Sequence, residues 1–196
     1  SLIAAVGISG GMYVVRNMVW TEGIFVANDF WRGVKLNYKN ALQTALFFIV
    51  VLTICQSLVN MADLTLVSNV SLTGFKRVWL NISKAISYVT IALAAMMSLW
   101  MLALGVNYKQ KFFVMVRNAF LLTIGTLPQT VFFAVLALLP FMLFLIPGNL
   151  FVIIAVFIVI LFAFAYLLLV WLDYAQWAFD KFINPKIQGA KVGRGI

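Results

Sequence analysis

Few side chains in this sequence are suited to chemistry, and the most versatile one is missing. There is no histidine among the 196 residues, which removes both the usual proton carrier near neutral pH and the commonest metal ligand. The acids are Glu22, Asp29, Asp63, Asp173 and Asp180, and each falls at or beyond the end of an apolar run. Proton-driven pumps generally carry an ionisable group within the membrane, and no strong apolar segment here has a charge near its middle. Asp173 and Asp180 share one face of the last helix, with Lys181 beside the second. Such a pair can bind a cation or divide acid and base roles, but at a helix C-terminal end it reads as capping or ion-paired acids. Cys55 is the single cysteine; it excludes an internal disulfide and reads as a small buried hydrophobe. The residues therefore assign no catalytic group, no metal site and no cofactor, and the chain reads as a non-enzyme.

Uncharged polar residues are better placed. Asn40, Gln43, Thr44, Gln56, Asn60, Asn118, Thr123, Thr126 and Gln129 lie in or beside apolar segments, where such groups usually hydrogen-bond between helices. The run TIGTLPQT, from Thr123 to Thr130, is the most site-like. Pro128 there should kink its helix and free a backbone carbonyl, and a structural kink is the plainer reading than a ligand site.

The elements that must position these groups are those of a membrane protein. Hydrophobic residues make up 65% of the chain and charged ones 10%, where a soluble domain carries about a quarter charged. The mean hydropathy of +1.08 agrees. Four apolar segments, about 41–59, 85–106, 119–146 and 150–171, each reach the roughly twenty residues that cross a bilayer. Backbone in hydrocarbon must satisfy its own hydrogen bonds, so the expected fold class is all-α, a polytopic transmembrane helix bundle in a single membrane domain, 1–196. Ser1–Val19, with Gly7, Gly10 and Gly11, reads as a partial or closely packed N-terminal helix.

Residues 24–39 read as an amphipathic helix lying in the interface. Ala27, Phe30, Trp31, Val34 and Tyr38 form its apolar face and Asn28, Arg32, Lys35 and Lys39 the other, with Asn28 as N-cap and Asp29 in the first turn. Asp63–Gly74 reads as a polar link, Pro147-Gly148-Asn149 as a tight turn, and Asn184-Pro185 as the stop before a basic tail, 184–196. KNALQ at Lys39 and RNAFL at Arg117 share a cation, an Asn and then apolar residues, as two spans would on leaving the same interface. Asn40 and Asn118 are candidates to pair with each other or with neighbouring backbone.

The net charge of +9 fits anchoring to anionic headgroups. No tandem basic-aromatic patches of the kind that stack bases occur, which argues against nucleic acid. Arg32, Lys35 and Lys39, then Lys109, Lys111 and Arg117, then Lys181, Lys186, Lys191 and Arg194 fall on one side, expected to be the cytoplasm of a bacterial cell membrane; Lys76, Arg77 and Lys84 lie on the other. Trp171, Tyr174, Trp177 and Phe182 suit an interfacial aromatic belt, and together with Phe30 and Trp31 they are the candidate surface for docking another membrane protein.

Three stretches, GISGGMYVVRNMVWTEG, FWRGVKLNYKNALQTAL and KFFVMVRNAFLLTIGTLPQT, resemble the YesL-like family of small bacterial integral membrane proteins, a domain of unknown function. Tyr13 and Arg16 match its first helix, Phe30, Lys39 and Asn40 the first amphipathic lead-in, and Phe113, Asn118 and the Leu127-Pro128 step the second. The family carries one more apolar span ahead of the Gly-rich helix, so the chain is expected to begin after it. The resemblance assigns no catalytic or substrate residues. It implies an accessory role beside oligosaccharide ABC importers, hence the expectation of a non-catalytic subunit associated with a carbohydrate ABC permease. The alternative is a small autonomous transporter or channel, with a polar path past Gln56, Asn60, Thr126 and Gln129.

Overall fold

The computed structural model describes residues 2–20, 25–68 and 73–187. These form helices joined by turns, with no strand among the described residues. In chain order they are α1 (Leu2–Trp20), α2 (Val26–Ser68), α3 (Gly74–Asn107), α4 (Phe112–Gly125) and α5 (Leu127–Leu138). A 3-10 stretch, Leu139–Leu145, leads to α6 (Asn149–Ile158), a π-helical turn over Val159–Ala163, α7 (Phe164–Phe182) and a final 3-10 turn, Asn184–Lys186. Four stretches, Val26–Ser68, Gly74–Asn107, Leu127–Leu145 and Phe151–Lys186, are long and apolar enough to span a membrane. The chain is a multi-pass, all-α membrane bundle.

Continuity distinguishes α2 from its sequence-based expectation. The 24–39 segment is not a separate interfacial helix, since its described part from Val26 is the first turns of one 43-residue rod. Nothing in KNAL breaks a helix, so propagation past Lys39 gains one hydrogen bond for each residue fixed and needs no new nucleus. Asn28 lies within the helix rather than capping it; Asp29 does sit in the first turn, its N–H bonded to the Phe25 carbonyl at 2.8 Å. The first half of the expected polar link is likewise helix, because α2 runs through Asp63 to Ser68; residues 69–72 lie outside the described residues. The basic tail beyond Ile187 lies outside the described residues.

The side of α2 that packs inward is its small-residue face. Gly33, Asn37, Ala41 and Thr44 are buried, at the spacing of one helical stripe. Gly33 is where α1 comes closest: a Cβ added there would stand 2.4 Å from the Tyr13 Cβ. Gly10 of α1 meets the Val34 and Phe30 side chains at 2.7 and 2.9 Å in the same sense. Phe30 and Val34 thus cover α1 instead of lying on headgroups. Gly11 abuts Leu168 of α7, whereas Gly7 has open space around it.

α2 and α3 form a long antiparallel hairpin fixed by two polar contacts. Near one end Asn40 Nδ2 donates to the Gly105 carbonyl at 3.2 Å. Near the other the Lys84 ammonium donates to the Asp63 carboxylate. Along α2 these contacts are separated by roughly 34 Å at about 1.5 Å per residue, close to the ~30 Å hydrocarbon thickness. They therefore bracket an apolar stretch about as long as the hydrocarbon is thick, and α2 extends past both contacts.

The third apolar segment is divided. Thr126, with φ −124° and ψ 33°, ends α4 and starts α5, with Pro128 in the first turn of α5 where its missing N–H costs nothing. Pro140 then opens the 3-10 stretch. The Pro147-Gly148-Asn149 turn forms as expected; Gly148 has φ +132°, a region that favours glycine.

Gly33→Leu is expected to destabilise the protein by about 1–3 kcal/mol through overpacking against Tyr13, while Gly7→Leu leaves stability within about 0.5 kcal/mol. Thermal unfolding of both variants in detergent checks this.

Candidate functional site

The densest polar and aromatic structure lies where α3, α5 and α7 meet. Trp100, Trp171, Tyr174 and Phe179 are all buried. The Trp100 ring lies 5.3 Å from both Trp171 and Tyr174, and Tyr174 stacks on Phe133 at 4.4 Å with an 11° interplanar angle. Within this cage the Tyr174 hydroxyl donates to Thr126 Oγ1 at 2.9 Å and lies 3.0 Å from Thr130 Oγ1. Trp100 Nε1 donates to Thr130 Oγ1 at 3.3 Å, and Thr126 Oγ1 also reaches the Leu122 carbonyl at 2.8 Å. The threonines of TIGTLPQT are thus engaged in packing: Thr126 and Thr130 turn their hydroxyls to Tyr174 and to each other.

A second network follows along α7. Gln176 Nε2 and Asn184 Nδ2 both donate to Asp180 Oδ1, the first at 2.9 Å. The Asn184 side-chain oxygen accepts the hydroxyl of Tyr108, just past the end of α3. Asp180 is buried and its Oδ2 has no hydrogen-bond partner. Desolvation by burial pushes the Tyr108 phenol up to about 12, with the Asp180 charge adding to the shift. Arg16 Nη1 donates to the Val106 carbonyl at 2.9 Å and so ties α1 to the same corner. Among the described residues Asp180 is therefore neither ion-paired nor an exposed capping acid, and Asp173, two turns earlier on α7 and exposed, does not join it. The missed residues, Trp100, Tyr108, Gln176 and Asn184, had one legible signal: Gln176, Asp180 and Asn184 recur every fourth position along one helix face.

The other expected site residues scatter. Trp171 and Tyr174 are 0% and 2% exposed, so they form core and are not available to a partner; only the Trp177 and Phe182 end of that surface stays open. Phe30 is half-buried under α1, and Trp31 is 62% exposed. Asn40 and Asn118 do not pair with each other; Asn118 Nδ2 donates to Gln110 Oε1 at 3.1 Å. Gln56 Nε2 donates to Asn60 Oδ1 at 3.1 Å on the exposed face of α2, so these two do not join helices within the chain. Pro128 and Gln129 are also exposed. With Thr126 buried and Gln56, Asn60 and Gln129 outside, the four residues proposed for a transport path do not line one passage.

Chemically, the corner offers hydrogen-bonding rigidity and one carboxylate oxygen, with amides as its neighbours. Among the described residues no three His, Cys, Asp or Glu side chains come together. Beside the corner a pocket of 390 Å³ opens between α4 and the end of α7, lined by Asn118, Leu121, Leu122, Gly125, Thr126, Phe182, Ile183, Lys186 and Ile187. No family model matches the chain, and neither curated proteins nor solved structures give a match.

Tyr174→Phe and Thr130→Val should each cost about 1–3 kcal/mol, since each strands a buried partner, with a coupling above about 0.5 kcal/mol in a double-mutant cycle. Because the folded Tyr108 holds its proton up to about pH 12 against an ordinary value of 10.0, its contribution to stability is full below pH 10.0 and lost as pH rises through about 12. Unfolding titrations of wild type and Tyr108→Phe across that window should diverge below it and converge above it.

Proposed function

We propose that the chain is a non-catalytic membrane subunit that packs against a second membrane protein. The observation that carries the reading is the Gln56–Asn60 pair. Both amides sit on the outward face of α2, between the two polar contacts that bracket the apolar stretch, and among the described residues they bond only to each other. Facing lipid, they leave a donor and an acceptor without partners, which a neighbouring helix would supply. Around them Leu46, Val50, Ile54, Leu58 and Met61 are all exposed, a ridge at the spacing that interdigitates with another helix. Only 17% of the most apolar window of α2 is buried within the chain, so this flank is free for a partner. Trp31 lies on the same helix beyond that stretch and offers an aromatic anchor.

The identity of the partner rests on resemblance. YesL-like proteins are associated with carbohydrate ABC importers, so the partner is proposed to be such a permease in a bacterial cell membrane, with the basic end cytoplasmic. The role is to stabilise the permease, alter its gating or connect it to another component. The separation of Gln56, Asn60 and Gln129 from Thr126 supports this reading over an autonomous transporter or channel.

Purification of the tagged protein in mild detergent should recover permease subunits in stoichiometric amount. Gln56→Leu with Asn60→Leu should lower that recovery at least about threefold, from the ~0.6 kcal/mol average of an interhelical hydrogen bond in lipid. A clean homo-oligomer without permease would sink the proposal.

A further inference from the structure

We propose that the groove between α4 and the end of α7 is a binding site for one anionic phospholipid, its headgroup at Lys186 and Asn118 and an acyl chain along Leu121, Leu122 and Gly125. At 390 Å³ the groove is within the range of small-molecule sites, and its chemistry is graded along its length. Asn118 lies nearer the basic loop that joins α3 to α4, and Gly125 is two turns deeper along α4. The wall between them is apolar, and Gly125 has open space where a Cβ would stand. A uniformly apolar ligand would leave the polar end unmatched, and a soluble anion would leave the apolar wall wet. An amphiphile with a negative head satisfies both.

Charge complementarity supports the sign. Lys186 lines the groove, and among the described residues no carboxylate pairs with it. On the Phe182 wall, the Lys181 ammonium rests 5.5 Å from the Phe182 ring centroid and 5.0 Å from that of Trp177. Arg117, exposed, precedes Asn118 on α4. Asn118 is itself held by Gln110, so its amide is positioned before any ligand arrives. The one nearby acid, Asp180, is buried with Oδ1 turned to Gln176 and Asn184, and it does not line the groove.

The floor explains why the groove persists. Thr126 spends its hydroxyl on Leu122, Thr130 and Tyr174, which holds the α4–α5 break in place. α4 itself packs mainly on α3, and the groove lies between it and the end of α7. A lipid chain would fill that gap and join two elements the protein leaves apart. This site shares no residue with the Gln56–Asn60 face and does not depend on the accessory-subunit reading.

The test uses full-length protein stripped of lipid in detergent, with thermal unfolding read after addition of phosphatidylglycerol or phosphatidylcholine of identical acyl chains. Phosphatidylglycerol should raise the Tm saturably, with one molecule retained per chain in native mass spectrometry, and phosphatidylcholine should not. Lys186→Gln should weaken the response about fivefold, the worth of one cation at a headgroup. Gly125→Leu should fill the groove and abolish the response without lowering the lipid-free Tm, while Gly7→Leu should respond as wild type. Equal stabilisation by the two lipids, a full response in Gly125→Leu, or the same shift from inorganic phosphate alone would overturn the proposal. So would absence of any lipid response together with exchange-protected amides in residues 188–196, which would give the groove to the chain's own tail.

Discussion

The buried Tyr174 hydroxyl is the contact on which the arrangement of the basic half depends. At Thr126 the chain changes from α4 to α5, with backbone bonds kept from Thr126 to Leu122 and from Thr130 to Thr126. Tyr174 braces this junction from α7 with bonds to Thr126 Oγ1 and Thr130 Oγ1. The ring that carries the hydroxyl is clamped between Phe133 on α5 and Trp100 on α3. One side chain thereby fixes where α5 begins, how it lies on α7, and how far α4 can follow it. Because α4 is released at that break, it stays against α3 and leaves the groove beside α7 open.

The other half of the molecule obeys a different constraint, close approach of backbones. Lipid gives helices no hydrophobic reason to associate, so contact area must come from fit. Gly10 against Val34 and Phe30, Gly33 against Tyr13, and Gly105 against Asn40, 3.0 Å from a Cβ placed there, are the points where fit is tightest. At Gly105 the missing side chain also exposes the carbonyl that Asn40 uses. Removal of a Cβ therefore serves packing and hydrogen bonding together. The buried stripe Gly33, Asn37, Ala41, Thr44 shows the same economy, since Asn37 and Thr44 bond to carbonyls one turn back in their own helix, at 3.0 and 2.8 Å.

The spans were legible because twenty apolar residues in a row have few other physical uses, and the PGN turn because its residues allow little else. What misled was the attribution of environment. Trp171 and Tyr174 have the amphipathic character of an interfacial belt, and the same character suits a core that contains hydroxyls; composition does not separate the two. Of the apolar face expected for residues 24–39, Phe30 and Val34 pack on α1 while Ala27, Trp31 and Tyr38 are exposed, because periodicity does not say whether an apolar face meets headgroups or another helix. Phe30 meets α1 because Gly10 leaves room for it, a fact held in a different part of the sequence. Asp63 has the sequence surroundings of a polar link, yet helix continues through it. Lys84, which meets it across the hairpin, is likewise visible only once α2 and α3 are paired.

Asp180 shows where sequence reading and structure bear on function together. An acid near a helix end, beside a lysine, has the look of an exposed pair, and that environment would make it unremarkable. Its true neighbours are Gln176 and Asn184, both neutral and both bonded to Oδ1, which leaves Oδ2 without a bonded partner. Lys181, the cation beside it in sequence, turns instead to Trp177 and Phe182, since successive residues on a helix point about 100° apart. The consequence is a sorting of charge across α7: the carboxylate faces inward and holds Asn184, which accepts the Tyr108 hydroxyl at the end of α3, and the ammonium stays on the aromatic rim. That sorting gives the rim beside the groove a positive character even though an acid lies one residue away.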